Sequence, residues 1–301
     1  MITVPSTAVP RRGTHGRGII PGPRPDRPYW LRLGALTLMH LGCLGVAWVG
    51  WSWTAIGLAV VSYLARAFGL TAFYHRYFSH RAFKTSRWLQ FLGALLGCLA
   101  LQKGPLWWAA HHREHHRRSD REGDVHSPHV HGVLWAHCGW FLTPRNNELS
   151  AWRVRDWLKF PELRWLDRAA PLVAVLFALA VYGAGELIHA AWPQLKTDGC
   201  LLFVWVFFVS TVALYHATYS VNSLAHLWGS RRYETRDQSR NNLFVALVTL
   251  GEGWHNNHHF YPSSARQGFF WWEIDPTFYV LVALARLGLV WDLRPVPPSV
   301  R

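Results

Sequence analysis

Nine of the 18 histidines of this 301-residue chain fall into short clusters with fixed spacing. His75 and His80 bracket HRYFSH. His112, His115 and His116 make HREHH, and His255, His258 and His259 make HNNHH. Asn222 and His226 bracket NSLAH. A helical residue advances by about 100°, so positions i, i+3 and i+4 share one face. HREHH and HNNHH therefore each aim three imidazoles at one point, and Asn222 and His226 lie one turn apart. His75 and His80 fall roughly 140° apart on an ideal helix, which suits a helix end that unwinds between them. Neutral imidazole is a ligand for iron, zinc, copper and nickel. Nine exceed what one ion takes and fit two metals with four or five each. No cysteine joins the set, which disfavours a soft-metal site, so the pattern points to iron and dioxygen chemistry. A lone histidine is more often hydrogen-bonded than a ligand, but two copies of HxxHH beside HxxxxH and NxxxH make chance a poor account. The other nine (His15, His40, His111, His126, His129, His131, His137, His189 and His216) receive no ligand role. His126, His129 and His131 read as loop residues, and His111 abuts the second cluster.

The elements that must position these clusters are apolar helices. Four stretches reach the ~20 residues a helix needs to cross a bilayer: about Tyr29–Trp51, Trp53–Tyr74, Ala170–Trp192 and Cys200–Tyr219. Leu89–Leu101 is too short and reads as an interfacial helix. Pro276–Leu293 is interrupted by Arg286 and Asp292 and reads as interfacial rather than as a fifth span. Residues 1–28 hold five Arg, six Pro and four Gly without apolar periodicity, a disordered basic tail. The expected domains are that tail, a membrane domain over 29–275 and an interfacial segment over 276–301. No Lys or Arg separates the first two spans, and only Lys196 separates the last two, whereas 75–168 carries fifteen and 221–301 eight. Counting basic residues places both termini and the clusters on the cytoplasmic side. The expected fold is an all-α integral membrane protein: four spans in two hairpins under a helical cytoplasmic cap that holds the two-metal site.

Composition agrees. Half of the residues are hydrophobic, 16% are charged and 19 are Trp, with a formal net charge of +14. That excludes a disordered polyelectrolyte and favours a membrane interface. Cys43, Cys98, Cys138 and Cys200 form no CxxC pair, which leaves no iron–sulfur, zinc-ribbon or disulfide framework. A nucleic-acid binder would need a soluble basic face, and the hydropathy argues against one.

HRYFSH, WWAAHHREHH, NSLAH, RDQSRNN and GEGWHNNHH, in this order, resemble the membrane fatty-acyl desaturases of the stearoyl-CoA delta-9 class, over about residues 30–275. The resemblance implies a di-iron centre ligated by His75, His80, His112, His115, His116, His226, His255, His258 and His259, with Asn222 holding a water on one iron. It implies an acyl tunnel that bends beside the metals, shaped by Gln102, Trp108 and Thr218. Ala110 and His111 stand where animal members carry an Arg-Asp pair near the acyl-carrier headgroup, so the carrier, CoA or another, stays open. No fused b-type cytochrome domain is expected.

The expected activity is oxygen-dependent: a di-iron site, dioxygen and two electrons remove two hydrogens from neighbouring methylenes and leave a cis double bond, delta-9 by the resemblance. A lipid or fatty-acyl hydroxylase on the same scaffold is the alternative, since ligand spacing does not separate the two. A metal transporter fits less well, because the clusters lie outside the spans and Glu186 is the one acidic residue within them. The partners expected are a fatty-acyl substrate, membrane lipid and an electron donor such as a ferredoxin or a b-type cytochrome, drawn to the net +7 of residues 75–168.

Overall fold

A computed structural model describes residues 30–301; the basic tail lies outside them. The described chain is nearly all helical. Four helices are long and apolar enough to cross a membrane: Trp30–Val49, Trp53–Ser79, Pro161–Ala191 and Gly199–Leu227. They match the four expected stretches, but the last three run further, each at the end that leads to the histidine clusters. The third has 31 residues, about 46 Å of helix against a hydrocarbon core of about 30 Å. The surplus carries the chain out of the apolar layer into the cap.

At the other end the connections are tight. Gly50 turns at φ 70° between the first two helices, a conformation that glycine adopts without steric cost. The Ser52 hydroxyl accepts from the Ala55 N–H and caps the second helix. Asp198 caps the fourth in the same way through Leu201 N–H. Ser52 Oγ and Thr197 Oγ1 lie 2.7 Å apart and join the two hairpin tips.

The second and fourth helices are the inner pair. Their most apolar windows are 44% and 50% buried, against 6% and 17% for the first and third, so the outer two shield the inner two. Arg66 sits fully buried on the second helix. A guanidinium at this depth must have its donors satisfied. It donates to Thr211 Oγ1 and Ser210 Oγ, both at 2.6 Å, and to the carbonyls of Ser62, Leu99 and Val206. Val206 belongs to a π-helical stretch, Phe203–Val209.

The cap is built from short helices. Arg87–Cys98, the expected interfacial element, packs across the end of the second helix. Pro105–Arg118 follows and carries the second cluster. Asp167, at the start of the third helix, accepts at 3.0 Å from both Leu106 and Trp107 N–H and so caps that helix from outside. The C-terminal segment forms an 11-residue helix, Pro276–Arg286, about 16 Å long and too short to span. Its Thr277 hydroxyl meets that of Thr71 at 2.7 Å. Val290–Trp291 then pairs antiparallel with Lys84–Thr85.

Gly69 and Gly97 mark the closest helix contact. A Cβ on Gly69 would lie 2.6 Å from the Gly97 backbone nitrogen, which is backbone and cannot rotate aside. Gly69→Val is therefore expected to destabilise the detergent-solubilised protein by about 1–3 kcal/mol, as overpacking does, and to lower its thermal midpoint. An unchanged midpoint would mean that the two helices can separate at no cost.

Candidate metal centre

The nine clustered imidazoles meet at the cap side of the inner helix pair, in two groups. His75, His80, His112, His116 and His258 form one; His115, His226, His255 and His259 form the other. Within each group the nearest ring nitrogens lie within 4.8 Å of one another. The HxxHH clusters are split between the groups. HREHH sends His112 and His116 to the first and His115 to the second; HNNHH sends His258 to the first and His255 and His259 to the second.

Local structure explains each placement. His75 and His80 lie at the end of a π-helical stretch, Gly69–Ser79, and are joined by a hydrogen bond from His80 N–H to the His75 carbonyl at 3.2 Å. An i→i+5 bond stacks residues five apart on one face, which brings the two rings to 4.9 Å. The chain widens between these residues; it does not unwind as the spacing suggested. His226 sits at the end of the fourth helix, one turn beyond Asn222. His255, His258 and His259 occupy the short helix His255–Phe260. Asn241 holds that helix: its side-chain oxygen accepts from the N–H groups of Asn256 and Asn257. Asn257 Nδ2 in turn donates to Glu273.

Four of the nine rings are backed by carboxylates. His226 Nδ1 lies 2.8 Å from Asp120, His115 Nδ1 3.0 Å from Asp124, and His259 Nδ1 2.7 Å from Asp237. His75 Nδ1 pairs with Glu252, which also meets Arg76 at 3.0 Å. A carboxylate at Nδ1 fixes the proton there and leaves the Nε2 lone pair facing inward. The sequence argument missed all four. Asp237 and Glu252 lie inside RDQSRNN and GEGWHNNHH, Asp120 and Asp124 follow HREHH, and Glu252 precedes His255 by three residues, the Glu-x-x-His spacing of carboxylate-bridged bundles. Here Glu252 turns to Arg76 and His75 instead.

The facing nitrogens test whether a cation fits. His75 and His258 meet Nε2 to Nε2 at 3.0 Å, His80 and His112 at 2.8 Å, His116 and His258 at 2.9 Å, and His226 and His255 at 3.0 Å. Nitrogens bound at right angles to one ion at about 2.1 Å lie about 3.0 Å apart. His259 Nε2 and His255 Nδ1 are buried without a hydrogen-bond partner. Buried lone pairs that face one another are costly unless a positive charge lies between them, so the donor set fits two divalent metals.

Electrostatics works against protonation at six of the nine rings. Burial, then repulsion from neighbouring imidazoles, pushes His80, His112, His116, His255 and His258 well below the ordinary range. Burial takes His259 down to about 4. At His115 burial is outweighed by the charge and hydrogen bond of Asp124, and the value rises. Burial would raise Asp120, Asp124 and Asp237, but their histidine partners hold them well below the usual carboxylate range.

A cavity of about 920 Å³ reaches the cluster. Gln102, Trp108, Thr218 and Asn222 line it together with His112 and His255. Gln102 Nε2 donates to Thr218 Oγ1 at 2.6 Å, and Trp108 stacks on His112 at 5.0 Å. Leu101 and Lys103, on either side of Gln102, have φ 59° and 73°, a left-handed strain that concentrates at functional loops. Ala110 is buried in the core, and His111 lines the cavity. His126, read as a loop residue, is buried 4.3 Å from the His115 ring, with its Nδ1 3.7 Å from Asp124 and without a hydrogen-bond partner. His129 lies beside the site too, 2.9 Å from the His226 carbonyl.

A fatty acid desaturase family model matches residues 24–292. An sn-2 palmitoyl-lipid 9-desaturase of Nostoc sp. (strain 36) is 38% identical over 90% of this chain and 92% of its own length. An acyl-CoA 5-desaturase of Anemone leveillei is 37% identical over 87% and 78%. An sn-1 stearoyl-lipid 9-desaturase of Synechocystis sp. is 35% identical over 90% and 82%.

Loss of a carboxylate behind a metal-binding histidine weakens affinity about 10–100-fold. Asp237→Asn is accordingly expected to weaken one of two Co(II) sites by that factor in calorimetric titration and to leave the other unchanged. Equal weakening of both sites would contradict the division into five and four.

Proposed function

The chain belongs to the fatty acid desaturase family, and on that premise we propose that it inserts a cis double bond at the delta-9 position of a saturated fatty-acyl chain. It is an oxidoreductase of the membrane: four helices suit insertion, and the relatives act on acyl-lipid or acyl-CoA substrates by their names. The observation that carries the proposal is the division of nine imidazoles into groups of five and four beside one largely apolar cavity.

Two iron ions suit the groups. His75, His80, His112, His116 and His258 would hold one, and His115, His226, His255 and His259 the other, with Asn222 positioning a water beside the four-histidine iron. With dioxygen and two electrons from a partner, the irons supply the oxidising power to remove two hydrogens from unactivated methylenes. The chain's own residues do the rest. Asp120, Asp124, Asp237 and Glu252 keep the Nδ1 protons of their histidines in place, so those rings offer Nε2. Gln102 and Thr218, held to one another, and Trp108, stacked on His112, shape the wall against which the acyl chain bends. Methylenes offer no hydrogen-bond handle, so wall shape alone selects which pair is presented. Burying each methylene from water contributes about 0.8 kcal/mol.

The active site and both termini lie on the cytoplasmic side in this proposal, by the distribution of basic residues. Electrons arrive from a ferredoxin or a b-type cytochrome. Arg117 and Arg118, beside the second cluster and about half exposed, suit an acidic donor by steering.

In a desaturase-deficient host, expression is expected to yield a new cis-monoene in the total fatty acids, read by chromatography, and His258→Ala to abolish it. A hydroxy acid in its place would assign a hydroxylase. Gln102→Leu, which removes the bond to Thr218, is expected to shift or scatter the double-bond position while iron content stays unchanged.

A further inference from the structure

A second cavity adjoins the end of the second helix. It measures about 340 Å³ and shares no lining residue with the cavity that reaches the imidazoles. Residues 77–90, 156–160 and Arg294 meet there. Tyr77, Phe83, Trp157 and Phe160 supply its apolar wall, with neighbouring rings 5.1–6.0 Å apart. Gln90 lines the same cavity and is 2% exposed. Its Oε1 accepts from the Tyr77 hydroxyl at 3.0 Å, whereas its Nε2 is buried with no hydrogen-bond partner. Buried amide N–H groups are almost always matched, so an unmatched pair in a cavity wall calls for an acceptor inside.

Cations ring this cavity. Arg81, over the Trp157 ring at 5.1 Å, shares the Asp156 carboxylate with Arg113. Arg87 pairs with Glu162, and Lys84 with Asp292. Lys159 lies over the Phe160 ring at 5.1 Å. Arg294 is pinned through its backbone, its N–H donating to the Ala82 carbonyl at 2.8 Å. Among the described residues, neither the Lys159 nor the Arg294 side chain makes a hydrogen bond or an ion pair. Six cations thus stand around three carboxylates, and the sharing leaves Lys159 and Arg294 without one.

The occupant that suits such a place is an anion with several oxygens: an acceptor for the Gln90 amide and charge for the two free cations. A phosphate group meets both needs, since charge-assisted hydrogen bonds to its oxygens are strong. We infer that this cavity binds a phosphate group through Gln90, Lys159 and Arg294, apart from the acyl cavity. Two sources present that group: the headgroup of an anionic membrane lipid and a soluble phosphate. Trp88 and Leu92, on the same helix as Gln90, are exposed apolar residues. They suit a helix lying at the membrane interface, within reach of headgroups. Tyr77 stands between His75 and His80 in the chain, so an occupant would brace the π-helical stretch at whose end both histidines lie.

The test uses the purified full chain in detergent and needs neither iron nor turnover. One arm titrates dihexanoylphosphatidic acid, a second inorganic phosphate, and dihexanoylphosphatidylcholine serves as the zwitterionic control. Equilibrium binding is expected to show one saturable phosphate site per chain and a raised thermal midpoint on filling it. Saturation by the phosphatidic acid alone assigns a lipid headgroup; saturation by inorganic phosphate in the same concentration range assigns the soluble ion. Lys159→Gln combined with Arg294→Gln changes two exposed side chains and is expected to weaken the site at least tenfold. Gln90→Glu keeps an acceptor for the Tyr77 hydroxyl but sets negative charge where the amide N–H stood, and is expected to abolish binding. The inference is overturned by the absence of a saturable site, by equal affinity for phosphatidylcholine, or by wild-type affinity in either variant.

Discussion

Nine imidazoles packed into one largely buried volume are the constraint on which this structure turns. Each ring has two nitrogens, and burial makes an unmatched one costly. The fold meets that cost from two sides. Outside, Asp120, Asp124, Asp237 and Glu252 take the Nδ1 protons of four rings. Inside, Nε2 atoms face one another at 2.8–3.0 Å, a spacing that suits a cation between them.

The surrounding elements follow from that need. Helices two and four carry clustered histidines at their ends, so they must outrun the apolar layer and enter the cap. The π-helical stretch under His75 and His80 turns a spacing that an α-helix would splay into one face. Arg76 then ties this stretch to the C-terminal region, through Asp275 at 2.9 and 3.0 Å and Glu252 at 3.0 Å. A buried guanidinium with two carboxylates is strongly destabilised by loss of a partner, so the network locks the first and third clusters together.

The apolar cavity answers a different requirement. A saturated chain gives the protein nothing to grip except its shape, so precision must come from a rigid wall. The Gln102–Thr218 bond, the Trp108–His112 stack and the strained backbone around Gln102 supply that rigidity next to the imidazoles. Gln102 and Thr218, two polar groups of this wall, satisfy one another.

Much of this was legible in the sequence because it is local. Hydropathy marked four helices, since a bilayer sets the length of an apolar run, but it stopped short of the cap-side ends of the last three, which leave the apolar layer. The spacing of HREHH and HNNHH marked one face of a helix, since helical periodicity is fixed. Other features depend on partners far apart in the chain. Which imidazole joins which group is decided where four segments meet, and HxxHH gives no sign that its members will part. Asp120, 106 residues from His226, is an ordinary acidic residue until the fold brings them together. The π geometry at His75 is likewise a matter of packing. Residue type and spacing determined that the chain would gather histidines beside a membrane; only tertiary packing decided how they divide and what holds their protons, because the partners come from segments far apart in the chain.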